Sequence, residues 1–207
     1  MKNLKKVIAL VAVFAMMVST VAFAATFTDV AETDSYYEAI ETLNKLSILT
    51  GDPADENGDA AFRPNDTITR AEVAAIVCRM QGMNNLAQQN TSFSDVPSTH
   101  WASGYIATAE SMQIINGYGD GNFGPEDPVL YEQAVKMMME TIGYKPYAID
   151  QGGYPTGYLT AAQRYNVLNG VVGGSIGAEA NRGMVAQMTF NAIDTPIMDR
   201  YSFGSDA

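Results

Sequence analysis

Cysteine, histidine and tryptophan each occur once in this sequence, as Cys78, His100 and Trp101. A lone cysteine excludes an internal disulfide, so the fold is expected to rest on helix packing, with Cys78 as a small core residue. A lone histidine lacks the partner residues that a catalytic or metal role would need, and no cofactor is expected. Basic residues are also few: 12 lysines and arginines stand against 23 acidic residues, and the net charge is −11. Such a charge repels nucleic acids and anionic membranes, so neither is expected as a partner.

Long apolar runs are absent except over residues 7–18, near the start of the chain. This run follows three lysines within the first six residues and precedes Ala22–Ala24, a small-x-small cleavage sequence. The order predicts a secretory signal peptide over residues 1–24. The alternative is a retained membrane anchor, because the apolar stretch is close to the length of about 20 residues that a span needs. Cleavage would leave nine basic residues against 23 acidic ones, a net charge near −14.

What the sequence does contain is repetition. FTDV at Phe27–Val30 recurs as FSDV at Phe93–Val96, and the offset of 66 also places Gly51 on Gly117. A looser third copy follows 53 residues after the second, with residues 143–153 as the linker between them. Repeats of this kind bury their apolar faces by stacking on one another. The predicted units are a signal peptide (1–24), three repeats (25–85, 86–145 and a divergent 146–199) and a tail (200–207).

Each copy is predicted to consist of a helix, a turn-rich loop and a second helix, which gives a mainly α fold. In the first copy Ile40 and Leu43 lie at helical spacing, and Gly51 is expected to end this helix. The second helix starts with the strongest local signal in the chain. Thr69 is the predicted N-cap, and Glu72 at N3 is expected to bond back to the Thr69 amide as a capping box.

The other two copies begin their second helix differently. Leu130 occupies the Thr69 position and cannot cap, whereas Asp127 followed by Pro128 offers an N-cap and a first helical residue. The helix of the second copy is therefore predicted to start three residues earlier. In the third copy Asn181 is an acceptable cap, but Met184 replaces the glutamate, so only half of the capping box is expected.

The motifs together resemble the S-layer homology repeat: FxDV, then His100–Ala102, then Gly117–Pro125, and ITRAE at Ile68–Glu72. Residues 153–162 and 186–194 are similar to the terminal repeat of the same family. The resemblance implies a pseudo-threefold helical bundle whose loops project as prongs. It also implies a secreted protein of the cell wall or surface layer. Such a protein attaches non-covalently to a peptidoglycan-linked polysaccharide, often pyruvylated, in grooves between the prongs, with the ITRAE arginine as a principal contact.

Arg70 is the ITRAE arginine and the first candidate ligand-binding residue. It is predicted at the first position of a helix, where its planar donor fork suits a carboxylate such as that of a pyruvate ketal. The alternative is a solvated or salt-bridged surface arginine. Arg182 holds the matching position in the third copy, but the second copy has Tyr131 there and Gln133 in place of the glutamate. Two competent grooves are therefore expected rather than three.

Trp101, Tyr154 and Gly117 complete the candidate ligand-binding set. Trp101 is in the aromatic position of the family motif, and Tyr154 is its counterpart in the third copy. Aromatic faces suit the C–H side of a sugar ring, but the same rings could equally seal a helix against the bundle. Gly117 opens the glycine-rich loop motif of the second copy.

The acidic loop after the first helix has the spacing of a calcium site at Asp55, Asn57 and Asp59. However, Ala60 stands where an EF-hand loop requires glycine, and Asp66 stands in place of its final glutamate. Turn chemistry explains the loop better, and no metal site is predicted.

Three functions from different classes remain open on the sequence alone. The first is a binding module that anchors a secreted protein to the wall, and the second is a structural subunit that contacts other surface-layer proteins. The third is an enzyme on wall glycans, or the anchor fragment of such an enzyme. No pair of acids lies in a motif typical of glycosidases, so the chain itself is not expected to be an enzyme.

Overall fold

The computed structural model of the chain describes residues 27–198. The predicted signal peptide (1–24) and tail (200–207) lie outside the described residues. Within 27–198 the regular structure is helical apart from isolated β-bridges, which confirms the predicted mainly α class. The helices are α1 (Tyr37–Lys45), α2 (Arg70–Met80), α3 (Ser103–Ser111), α4 (Tyr131–Thr141), α5 (Lys145–Asp150), α6 (Thr156–Arg164) and α7 (Arg182–Asp194).

The three longest helices, α2, α4 and α7, contact one another in all three pairs. Each is the second helix of a predicted repeat, and each is covered by a shorter helix from another predicted repeat. Helix α3 packs on α2, α6 packs on α4, and α1 packs on α7. The first helix of each copy therefore packs on the second helix of the preceding copy, and the first copy packs on the third. This packing order places loops of different copies side by side.

The segments just before α2, α4 and α7 are joined by a closed cycle of three backbone hydrogen bonds, here called the backbone ring. The Ile68 N–H donates to the Ala180 carbonyl at 3.3 Å, and the Ala180 N–H donates to the Val129 carbonyl at 2.9 Å. The Val129 N–H then donates to the Ile68 carbonyl at 2.9 Å. All three copies thus meet at one point. The wider pseudo-threefold bundle with projecting prongs stays a prediction.

The core draws apolar side chains from all three copies. Ile40 and Ile106, which hold equivalent positions in α1 and α3, are both fully buried, as are Met138 and Met139 in α4. Cys78 is also buried, as predicted, and burial raises the pKa of its thiol to about 11. Among the described helices, none combines the length and apolarity that a membrane crossing requires.

The capping box predicted for α2 is confirmed. The Glu72 N–H donates to Thr69 Oγ1 at 3.2 Å, and the Thr69 N–H donates to Glu72 Oε2 at 2.8 Å. The half box predicted for α7 is also confirmed, since the Met184 N–H donates to Asn181 Oδ1 at 2.8 Å. Local sequence chemistry therefore determines where these two helices begin.

The predicted early start of the second helix in the second copy is wrong, because α4 begins at Tyr131. The Asp127 carboxylate accepts the Tyr118 hydroxyl at 2.9 Å instead of capping a helix. The Asp127 carbonyl accepts the Arg70 N–H at 3.0 Å, and Val129 belongs to the backbone ring. These contacts with other parts of the chain hold residues 127–130 out of the helix. They override the local signal of Asp127 followed by proline.

Two further boundaries differ from the prediction. The first helix ends at Lys45, well before Gly51, and Ser47 follows it in the left-handed region with a φ of 58°. Gly51 serves packing, because a Cβ there would overlap the Phe27 ring and the Ala61 carbonyl. The predicted linker 143–153 contains the short helix α5, which packs on α6.

Candidate functional site

The aspartate of each FxDV motif positions the loop that leads to the second helix of its own copy. The Asp29 carboxylate accepts backbone N–H groups from Phe62 at 2.8 Å and from the next residue at 2.7 Å. Asp95 makes the same pair of contacts with Phe123, at 2.8 Å, and with its neighbour, at 2.7 Å. These bonds fix the two loops in the same local geometry. They also hold the Phe62 and Phe123 carbonyls in place as acceptors.

Arg70 reaches from the first copy into the second, and the residue is 6% exposed. Its Nε donates to the Phe123 carbonyl at 2.8 Å, and Nη2 donates to the Asn116 carbonyl at 2.9 Å. Nη1 makes a longer bond of 3.4 Å to Gln133 Oε1. The guanidinium also lies 4.6 Å from the Phe123 ring centroid and 4.7 Å from that of Tyr118. Arg70 is therefore a buried cation with neutral acceptors, and not a solvated surface residue.

Arg182 makes the equivalent contacts from the third copy into the first. Its Nε donates to the Phe62 carbonyl at 2.7 Å, and Nη2 donates to the Thr50 carbonyl at 3.0 Å. Its third contact differs, because Nη1 lies 2.6 Å from Glu72 Oε1 in an ion pair. Glu72 thus caps α2 with one oxygen and pairs with Arg182 through the other. The acceptors of the two arginines lie at equivalent positions of the neighbouring copies: Phe123 and Phe62, Asn116 and Thr50, Gln133 and Glu72.

The third interface, between the second and third copies, has no arginine at this position. Tyr131 replaces the arginine, and Gly174 replaces the phenylalanine that Phe62 and Phe123 provide elsewhere. A Cβ at Gly174 would overlap the Tyr131 ring, so the tyrosine fills the space that a phenylalanine would need. The hydroxyl of Tyr36 bonds nearby to both backbone groups of Val172, at 3.1 and 3.2 Å. An aromatic contact therefore takes the place of the cation here.

The five predicted ligand-binding residues fall into two grooves. The Arg70 groove, with about 180 Å³ of interior volume, brings together Arg70, Gly117 and Tyr154. The Arg182 groove, of about 130 Å³, brings together Arg182 and Trp101. In each groove the arginine, the loop and the aromatic residue come from different repeats. The sequence motifs identified these residues but did not show which of them share a groove.

The two aromatic residues are half-exposed, with 49% of Trp101 and 50% of Tyr154 accessible. Trp101 stacks beside His100 with ring centroids 5.9 Å apart and lies 6.5 Å from the Tyr105 ring. His100 itself points its Nε2 at Glu126 Oε1, 3.0 Å away. Rings this exposed do not act mainly as seals for the bundle. Each leaves an apolar surface open at the mouth of its groove.

Gly117 lines the Arg70 groove, but packing also explains why it is a glycine. A Cβ at this position would overlap the Phe93 ring and the Asn122 carbonyl. Gly51 meets Phe27 in the same way in the first copy. The glycine therefore lets the FxDV phenylalanine approach the loop that forms the groove wall.

The acidic loop of the first copy uses its carboxylate internally. Asp55 Oδ1 accepts the N–H groups of Asn57 at 2.8 Å and of Asp59 at 2.9 Å. These backbone bonds hold the pKa of Asp55 below its ordinary value. The contacts are those of a tight turn, as the sequence suggested.

The sequence reasoning missed Lys136, whose ammonium lies 5.9 Å from the Tyr154 ring centroid in the Arg70 groove. It also missed Gln133 and Tyr118 as lining residues of that groove. Lys136 follows Gln133 by three residues on one face of α4. That spacing was the available signal, because Gln133 aligns with the capping glutamate of the first copy.

Comparison with known proteins finds a family match in two segments of the chain, and the predicted third repeat is not among them. Residues 26–74 and 92–135 match the family model of the S-layer homology domain. The chain is 35% identical over 206 residues to a cell surface protein of Thermoanaerobacter kivui, covering 96% of this chain and 26% of that protein. It is 31% identical over 212 residues to the surface layer protein of Brevibacillus choshinensis, covering 99% of this chain and 18% of that protein.

An enzyme, exoglucanase XynX of Acetivibrio thermocellus, is 37% identical over 105 residues, which is 48% of this chain but 9% of the enzyme. The chain spans about a quarter or less of the length of these relatives. The findings support the predicted location at the cell surface and a role in wall anchoring or in a surface layer. Two segments of the chain, residues 26–74 and 92–135, are thus similar to the S-layer homology domain.

Proposed function

We propose that this chain attaches a secreted protein non-covalently to the cell wall by binding a pyruvylated polysaccharide in the Arg70 and Arg182 grooves. The observation that carries the proposal is the pairing, in each groove, of a buried guanidinium with a half-exposed aromatic ring. A guanidinium has five N–H donors. Each of these two donates three to described residues, which leaves two for a ligand. Two such donors match a carboxylate, and a pyruvate ketal supplies one.

The aromatic rings suit the rest of such a ligand. Trp101 and Tyr154 offer apolar faces to the C–H side of a sugar, while the arginine donates to the carboxylate or to another oxygen of the sugar unit. Interior volumes of about 130 and 180 Å³ are below those of pockets for drug-sized ligands. The Arg70 groove therefore suits one or two sugar units of a polymer. The Arg182 groove adjoins a further cavity of about 380 Å³, which shares Glu72, Trp101 and Arg182 with it. A polymer with repeating units could engage both grooves at once, which would raise its overall affinity.

The test is sedimentation of the protein with purified cell-wall sacculi, before and after the secondary polysaccharide is removed. We expect pelleting with intact walls and its loss with stripped walls. Arg70→Lys and Arg182→Lys keep the charge but lose the donor fork, and each should weaken binding roughly ten- to hundredfold. Substitution of Tyr131 by phenylalanine is the matched control and should bind as the unchanged protein does. Equal pelleting with stripped walls would rule out the proposal.

A surface-layer role is the second candidate, and the similarity to a surface layer protein favours it. In that case the full-length protein would assemble into an ordered sheet on the wall. Electron microscopy of wall fragments incubated with the protein distinguishes a sheet from scattered anchors. Anchoring and assembly are compatible, because the same grooves would hold the sheet to the wall.

A further inference from the structure

The two grooves are built from equivalent positions but differ in charge. The Arg182 groove has a second cation, Arg79, and two acids, Asp52 and Glu72. Positive and negative charges are therefore balanced among its described lining residues. Glu72 lies 2.6 Å from the guanidinium, so the charge of Arg182 is already compensated.

The Arg70 groove has a net charge of +2, since its second charged residue is Lys136 and no acid lines its described part. The Lys136 ammonium lies 3.1 Å from the neutral side-chain amide of Asn116. Three aligned exchanges add positive charge to the Arg70 groove: Gln133 replaces Glu72, Tyr118 replaces Asp52, and Lys136 replaces Ala75. One exchange acts in the opposite direction, because Glu140, at the position aligned with Arg79, does not line the groove.

Three acids close to residues of the Arg70 groove are engaged elsewhere. Asp127 accepts the Tyr118 hydroxyl at 2.9 Å, and Asp95 accepts two backbone N–H groups of the following loop, at 2.8 and 2.7 Å. Glu132, next to Tyr154, accepts the backbone N–H of Gly177 at 2.9 Å. Within the described part of the chain, none of the three lies within ion-pair distance of either cation of the groove.

Burial without a nearby counter-charge also affects Arg70 itself. Its pKa is lowered, chiefly because burial disfavours the charged form, and nearby Tyr118 and Asp127 oppose this only in part. An anion that enters the groove would supply the missing charge at short range. In the Arg182 groove the same anion would instead be placed next to Glu72, which repels it and already pairs with Arg182. The other acid of that groove, Asp52, pairs with Arg63 at 2.8 Å.

We infer that the Arg70 groove binds the anionic sugar unit and that Lys136 is a second ligand-binding residue that selects for its charge. The Arg182 groove takes an uncharged sugar unit of the same polymer against Trp101. The inference rests on the proposed function. It assigns different units of the polymer to the two grooves, whereas the sequence repeat alone would predict that both grooves bind the same unit. The capping position carries a neutral glutamine (Gln133) in one groove and a charged glutamate (Glu72) in the other. This difference is the main determinant of which groove binds the anionic unit.

The experiment uses two methyl glycosides of an N-acetylated amino sugar, one with a pyruvate ketal and one without. Affinity is measured by titration calorimetry, and the fluorescence of Trp101, the only tryptophan in the chain, reports on the Arg182 groove. The variants are Gln133→Glu and Lys136→Met in the Arg70 groove and Glu72→Gln in the Arg182 groove. Gln163→Glu, an exposed position on α6, is the matched control for the added charge.

The unchanged protein should bind the ketal glycoside with no change in Trp101 fluorescence. Gln133→Glu should weaken this binding roughly tenfold or more, since it gives Arg70 the ion pair that Arg182 has. Lys136→Met should weaken binding of the ketal glycoside by a similar factor and leave binding of the neutral glycoside unaffected. Glu72→Gln should create a second ketal site that changes Trp101 fluorescence. Glutamine retains the contact with the N-cap, because Gln133 makes that contact with Leu130 at 3.2 Å.

Ketal binding that is as tight in Gln133→Glu as in the Gln163→Glu control would overturn the inference, provided that urea unfolding shows both variants to be folded. Ketal binding that changes Trp101 fluorescence in the unchanged protein would also overturn it. Both results leave the proposed function intact if the sacculi still bind. The proposed function fails separately if intact and stripped walls pellet the protein equally.

Discussion

The two interfaces that bury an arginine differ from the third interface by a matched exchange of two residues. Arg70 packs on Phe123 and Arg182 on Phe62, whereas Tyr131 packs where Gly174 leaves room for its ring. One backbone contact is the same in all three, since residues 70, 131 and 182 each donate an N–H to the loop of the next copy, at 2.8–3.0 Å. The third interface therefore closes without a buried cation.

This comparison indicates that the fold does not require the arginines. Burying a guanidinium carries a desolvation penalty, and well-packed neutral residues often serve stability equally well or better. Tyr131 and Gly174 form such a neutral, packed contact within the same molecule. The contacts common to all three interfaces explain the scaffold, and this comparison favours the proposal that the arginines serve ligand binding.

The largest expected effect comes from Gly174→Phe, which gives the third interface the phenylalanine of the other two. The new ring would overlap Tyr131, and we expect the free energy of unfolding to fall by about 3 kcal/mol. Adding Tyr131→Arg should recover part of this loss by recreating the arginine–phenylalanine pair. Urea unfolding measures both. Val172→Phe, at a position 63% exposed in the same loop, is the control. An unfolding midpoint for Gly174→Phe equal to that of the control would break the comparison.

An intermediate effect should separate the two arginine interfaces from each other. Arg182→Gln leaves Glu72 without its charged partner, whereas Arg70→Gln leaves only neutral acceptors. We expect a loss of about 2 kcal/mol for the first variant and about 1 kcal/mol for the second. In a Glu72→Gln background the difference should disappear. If it persists there, the ion pair is not its cause.

The smallest expected effect concerns the helix starts. Thr69→Val removes the cap of α2 while keeping the shape of the side chain, and should lower the free energy of unfolding by about 1 kcal/mol. Thr69→Ser keeps the acceptor and should be close to neutral. Thermal unfolding distinguishes the two variants. Similar losses for both would mean that packing, and not capping, fixes the start of α2.

Local signals allowed much of the fold to be predicted from the sequence. Thr69 and Glu72 lie three residues apart, so their mutual capping depends on nothing distant. The start of α4 was predicted wrongly because Asp127 and Val129 are held by Tyr118, Arg70 and the backbone ring. A local pattern cannot reveal contacts of this kind.

The candidate site was predictable in composition but not in arrangement. The motifs named Arg182 and Trp101, yet these residues come from different copies and share a groove with a loop of the first. Glu72 and Arg182 pair across 110 residues. Alignment shows which positions are equivalent, but the order in which copies pack on one another decides which positions meet. Lys136 was not predicted, because its position beside Tyr154 of another copy also depends on this packing order.

The backbone ring has a consequence for how such a chain can change in length. In an open array of repeats each end is free, so units can be gained or lost one at a time. Here the third copy returns to the first through the bond between Ile68 and Ala180. Deleting one copy would leave a donor and an acceptor of the ring unpaired, and an added copy would have no place in it. Duplication or loss is therefore expected to involve whole sets of three.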